Sequence, residues 1–236
     1  MTLRGQQRRK AVVQVFYPID SDGMGWPLWP KSKVQYYDTP QGLLTESGTW
    51  YRTTIDLLNE YAAKLFEHEP LEVLLARSDT WLRSSHTLSL WLLGLGVLYY
   101  NPWQLAIVVP CFFLVWQIVC PALVSRRFSP LLRVMDAVVL QAILYAGTMT
   151  SLAISSQYQA LVVGLGGFIF IRWGVLAYIM RPLVTRCWKV MYKLPASDHI
   201  LRAFIVRSAL NQGIVLSDFK DIEQNIIQNM LKKKRK

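Results

Sequence analysis

The chain has 236 residues, 53% of them hydrophobic and only 17% charged, with 26 Lys/Arg against 15 Asp/Glu and a mean hydropathy of +0.24. Soluble domains carry about 25% charged residues, and here the uncharged ones are bunched: from Thr87 to Met180 the charged side chains are Arg126, Arg127, Arg133, Asp136 and Arg172. Such runs argue against an ordinary soluble core and three cysteines make no disulfide framework, so we expect a mainly α, polytopic membrane protein.

The opening MTLRGQQRRK is followed by no apolar core of a signal peptide, so insertion is expected to rest on internal segments. Residues 1–86 are expected to form a small cytoplasmic region carrying ten cations and ten anions. AVVQVFYP has the Val and Phe content of a strand, and DGMGWPLWPKS the Gly and Pro breakers of a loop. From Trp50 to Phe66, Tyr51, Ile55, Leu58, Ala62 and Leu65 recur at helical spacing, and Pro70 stops the helix. A second helix from Leu71 to about Arg83 presents Leu71, Leu74, Leu75 and Leu82. Three arrangements stay open for these helices: packing on one another as a small domain, lying along the membrane surface, or awaiting a partner.

Residues 87–181 read as four transmembrane helices in two hairpins. The first, about 87–103, is short for a bilayer that needs about 20 apolar residues, and Tyr99, Tyr100 and Trp103 mark its far end. Asn101-Pro102 turns the chain into the second, about 104–124. The loop SRRFSPLLR then supplies Arg126, Arg127 and Arg133. The third span runs about 134–154, the uncharged SSQYQ turns the chain, and the fourth runs about 160–180, closed at once by Arg181. Both uncharged turns fall on one side, so by the positive-inside rule both termini and the arginine loop are cytoplasmic. Bacterial inner membrane and endoplasmic reticulum are not distinguished.

Gly147, Ser151 and Ser155 recur every four residues, and Gly167 and Gly174 stand seven apart, so close packing of spans three and four is expected there. Residues 182–236 read as a helical, basic cytoplasmic tail. Ser197 can cap a helix with Ile200, Leu201, Phe204 and Ile205, and Ser217 a second one after Gly213. The closing KKKRK, with Lys232, Lys233 and Lys234, joins Arg126, Arg127, Arg133 and Arg181 as expected contacts of anionic headgroups. The charge collects at the chain end and not on a recognition helix, so no nucleic acid is expected as a partner.

DSDGMG resembles the start of a calcium loop, but the twelfth position from Asp20 is Lys31 where a bidentate acid is needed. His68, His86 and His199 have no ligand spacing, no nucleophile motif occurs, and neither enzyme activity, metal nor cofactor is expected. Polar chemistry remains within the spans. Arg172 stands eight residues before Met180, roughly 12 Å inside the fourth span at helical rise, and Asp136 or Gln141 on the third could match its depth. Three roles stay open for Arg172: snorkelling, an ion pair with Asp136, or a charge on a transport route. The leading functional expectation is a non-enzymatic integral membrane subunit or scaffold of a larger membrane protein complex, whose cytoplasmic helices and Trp-rich loop bind partner proteins, with other membrane subunits or a second copy as its neighbours. The alternatives are an oligomeric channel or transporter component using Arg172, and a hairpin-type membrane-shaping protein.

Overall fold

The computed structural model describes residues 29–39, 41–192 and 195–216. The strand expected at AVVQVFYP, most of the Trp-rich loop, the helix after Ser217 and Lys232, Lys233 and Lys234 lie outside the described residues. The described chain is mainly helical, with one small sheet. Three antiparallel strands in sequential order, β1 (Tyr36–Thr39), β2 (Gly42–Thr45) and β3 (Trp50–Tyr51), lead into α1 (Ile55–Phe66). Then follow α2 (Leu71–Gly96), α3 (Pro102–Val119), α4 (Ser129–Met135), α5 (Val138–Ile154), α6 (Tyr158–Arg172), α7 (Val175–Met191) and α8 (Ala196–Gln212).

The helix expected from Trp50 starts later, because Trp50 and Tyr51 pair with Leu44 and Leu43 in the sheet. Thr54 then caps α1, its side chain accepting from the Leu57 amide. A larger departure follows. The second expected helix and the first expected span are one 26-residue helix, α2, so the boundary drawn at residue 86 falls inside it. No Gly or Pro interrupts Glu72–Leu93, and nothing stops the helix where polarity changes.

Four straight apolar spans are not what forms. Among the described residues one helix, α3, is long and apolar enough by itself to cross a membrane. Two further pairs, α4 with α5 and α6 with α7, pass together but are each bent by 58°. Each bend has a local cause. Ala137 is extended at φ −64°, ψ 123°, because the preceding Asp136 is turned into the core. Gly174 takes φ 77°, a left-handed conformation that glycine adopts without the Cβ penalty. The second expected span also ends early, at Val119: Cys120 is still helical in conformation, but Pro121 has no N–H to carry the ladder on.

The central element is α2, which packs on α3, α4, α5, α6 and α8. It runs through two apolar cores. The first joins Leu43, Tyr51, Leu58 and Trp81 to Val124, Leu132 and, from the tail helix, Phe204, so the N- and C-terminal regions share one core. The second joins Leu90, Leu93, Leu105, Phe113, Leu152 and Ile171. Between them α2 presents Arg83, Ser84, Ser85, His86 and Thr87, all buried. Both turns, 97–101 and 155–157, lie at the end of the bundle away from this polar layer.

Candidate functional site

The polar layer is assembled from three helices and a break. Arg83, His86 and Thr87 stand at i, i+3 and i+4 on α2 and so share a face. Asp136 enters at the α4–α5 break. Its Oδ2 is 3.3 Å from Arg83 Nε, and its Oδ1 accepts from Thr87 Oγ1 at 2.7 Å. Both charges are almost wholly buried, at 8% and 1% side-chain exposure, so each depends on the other for compensation.

The break frees backbone carbonyls, and side chains collect them. Met135 O accepts from Trp91 Nε1 at 2.9 Å and from Gln141 Nε2 at 3.1 Å. The open C-terminal end of α3 is treated in the same way. Gln117 O accepts from Trp188, Ile118 O from Tyr192 and Cys120 O from Trp81, at 2.9–3.0 Å. Gln117 and Trp116 in turn donate to Ser85 Oγ and Ser84 Oγ. The buried His86 meets Phe113 edge to face at 5.1 Å and bonds the Ile171 backbone.

Arg172 is the last residue of α6, and it stands in the electrostatic field of Asp136 and Arg83. The depth assigned to it from a straight fourth span therefore does not hold. It sits where α6 ends and α7 turns away, at the level of Asp136. The structure thus brings Asp136, Gln141 and Arg172 to one layer, and the ion partner within 4 Å of Asp136 is Arg83. Arg83 and His86 escaped the sequence because they precede the apolar run on a segment that reads as a separate soluble helix. Their spacing with Thr87 was the one signal, and it recurs on any helix.

A second polar group lies in the first core. Buried Asp79 accepts from Ser47, from Thr45 at 3.2 Å and from Tyr51 at 2.7 Å, tying α2 to the sheet. Burial pushes its carboxyl above the usual range; the Ser47 and Tyr51 bonds and Arg83 offset this in part. Asp198 on α8 accepts from both the amide and hydroxyl of Thr53, and Ser197 donates to Trp50 O, which clamps the tail helix to the sheet region. Burial raises the Asp198 carboxyl as well.

Among the residues expected at headgroups, Arg127 and Arg181 are exposed and Arg133 is half-buried. Arg126 lies 3.5 Å from Glu69, which also pairs with Arg77. Of the small residues, Gly147, Ser151 and Ser155 face outward from α5, with open space where a Gly147 Cβ would be. Close approach occurs instead at Gly164, where a Cβ would stand 2.5 Å from Met149 Cε, and at Gly167, 2.7 Å from Leu93 Cδ2. Gly174 makes the α6–α7 bend. Among the described residues no three His, Cys, Asp or Glu side chains converge on a metal position.

Compared with known proteins, the chain finds no significant match among family models, curated proteins or solved structures. The reading of its function rests on its own residues.

Proposed function

We propose that the chain is an integral membrane protein that crosses the bilayer four times and serves as a non-enzymatic scaffold subunit, associating through its helix faces with a second copy or other membrane subunits. One observation carries the reading: the usual distribution of polarity is inverted around the second core. Arg83, Asp136, Gln141 and Gln117 are inside, while Ile107, Ile154 and Val162 on α3, α5 and α6 are 68%, 81% and 67% exposed. In water that arrangement would waste the hydrophobic effect; in lipid it satisfies it. The crossings are α3, α5, α6 and the outer half of α2. The arginine-bearing loop, by the positive-inside rule, supports a cytoplasmic side for the polar layer and for both termini.

The subunit part draws on Gly147, Ser151 and Ser155, whose outward face leaves room for another backbone to approach. The buried charges support a structural role over a conduit, because the layer holding Arg172 is followed by the apolar second core, Leu90 to Leu152.

Two measurements test this. Single cysteines at Asn101 and Ser156, in a variant lacking the native thiols, are expected to react with impermeant maleimide from the side opposite to one at Arg127. Labelling of all three from one side removes the topology. Native mass spectrometry in mild detergent is expected to show a complex, and a lone monomer from every mild detergent removes the scaffold role.

A second reading, membrane shaping by hairpin wedging, is favoured by α5 and α6, which have 17 and 15 residues. At helical rise they span about 22–26 Å, against a hydrocarbon core of about 30 Å. It predicts tubulated liposomes at high protein density, and flat vesicles count against it.

A further inference from the structure

The helix after the bend does not have the surface of a membrane crossing. On α7, Leu176, Ala177 and Val184 form the face buried against the bundle. At 100° per residue, Ile179, Leu183 and Val190 fall together on one flank of that face. Arg181 falls on the other flank, and Lys189 and Arg186 lie on the outer side, Arg186 beside Ile179. All six are exposed, with Ile179 at 54% and Val190 at 87%. No acidic residue occurs in Val175–Met191.

A helix crossing lipid needs an apolar outer surface all round. This one has a core side, an apolar side and a cationic side, which is the arrangement of a helix lying along a bilayer surface beside a protein bundle. Its apolar flank then points to acyl chains, and its cations to headgroups.

The second bend adds to this. Asp136 ends α4 and Arg172 ends α6, and the two interact electrostatically, so the two breaks lie near each other. α4 meets α5 at the same 58° bend, with Leu131 and Val134 exposed on it and Phe128 and Arg127 exposed just before it. Trp173 and Tyr178, both exposed, flank the α6–α7 turn where amphipathic rings favour the interface.

We propose that α7 lies in the plane of the cytoplasmic membrane surface and binds anionic phospholipid through Arg181, Arg186 and Lys189, with Ile179, Leu183 and Val190 in the acyl layer. This rests on the membrane reading above and deepens it. Each cation near an anionic surface is worth roughly a fivefold preference, so three together are worth up to about a hundredfold.

The test uses the full chain in nanodiscs made from an equimolar mixture of phosphatidylglycerol and phosphatidylcholine. Spin labels on Ile179→Cys, Leu183→Cys and Val190→Cys, in a background without the native thiols, report depth by accessibility to oxygen and nickel chelate. The three are expected at one depth within about 5 Å, although the outer two are about 16 Å apart along the helix. A steady depth gradient along α7 makes it a crossing segment and overturns the proposal. Native mass spectrometry of protein released from the nanodiscs is expected to show phosphatidylglycerol retained over phosphatidylcholine by at least tenfold. The R181Q/R186Q/K189Q variant should bring the ratio near one, and the R181K/R186K variant should keep it. An even ratio in the wild-type chain also overturns the proposal, and points to a protein on that face. If the Gln variant does not fold, the depth measurement still decides. If the wild-type chain leaves membranes in carbonate without detergent, it is the membrane reading that fails.

Discussion

Asp136 is the residue on which the polar layer turns. It neutralises Arg83, bonds Thr87 and acts on Arg172 from the end of α4. Removing one member of a buried pair leaves an uncompensated charge at a cost of about 3–5 kcal/mol, whereas replacing both by apolar groups is often neutral. Asp136→Leu should therefore lower stability in detergent strongly, and Arg83→Met/Asp136→Leu should recover most of the loss; equal loss in single and double variants would refute the pairing. Asp79 makes a different case, since its neighbours are hydroxyls. Asp79→Ala removes the buried acceptor shared by the hydroxyls of Ser47, Thr45 and Tyr51 and should cost about 3 kcal/mol. Asp79→Asn keeps an acceptor. Because the folded carboxyl is raised above its ordinary value, the stability that Asp79 contributes is complete at acid pH and declines as pH rises through the folded value. Asn lacks that decline, so its melting temperature should gain on the wild type as pH rises above about 4, the ordinary value for an Asp carboxyl. His199 has the opposite sign. Burial, with Arg202 beside it, lowers its pKa from 6.5, so its contribution is present above pH 6.5 and is lost as pH falls through the folded value. His199→Phe keeps the ring against Tyr192, 4.9 Å away, and should flatten the melting curve below pH 6.5.

Helices here are decided at their ends and at their glycines. Gly174→Ala forces a Cβ into the left-handed region and should cost about 1 kcal/mol, read as a lower midpoint of thermal unfolding. Gly167→Leu places bulk against Leu93 on α2 and should cost about 1–3 kcal/mol by overpacking. Gly147→Leu meets open space, so it should leave the midpoint unchanged while reducing association seen by native mass spectrometry. If Gly147→Leu destabilises as much as Gly167→Leu, the outward placement of the α5 small-residue face is wrong. The contrast also shows how limited spacing is as a guide. Gly147, Ser151 and Ser155 have the regular period of a packing face, yet close contacts fall on Gly164 and Gly167 of α6 and on Gly94 and Gly96 of α2. A stripe says that a backbone can approach and not which helix does so.

Taken whole, the molecule is two apolar cores threaded on α2 and separated by a polar layer. The helical class, the uncharged turns, the amphipathic α1 and the tail helix were legible in the sequence, because apolar periodicity and breakers act locally. Asn101-Pro102 does turn the chain from α2 into α3, and Gly213 does end α8. What could not be read locally were the partners. The 26-residue run of α2 crosses a change of polarity that looks like a domain boundary, and it stays helical because neighbours bury its charged turns. Arg83 pairs across 53 positions of chain with Asp136, and Thr53 across 145 with Asp198. Nothing in the residues near either member announces such a pair. The two bends follow the same rule. A run of apolar residues is long enough for a straight helix from 160 to 180, and glycine at 174 permits a turn without requiring one. The turn is taken where α7 can pack against the end of α3, with Trp188 donating to Gln117 O and the cations of α7 outward. Composition and period, being short-range, were enough for the elements; their breaks, depths and charge partners depend on contacts between distant segments, which exist only once the bundle has closed.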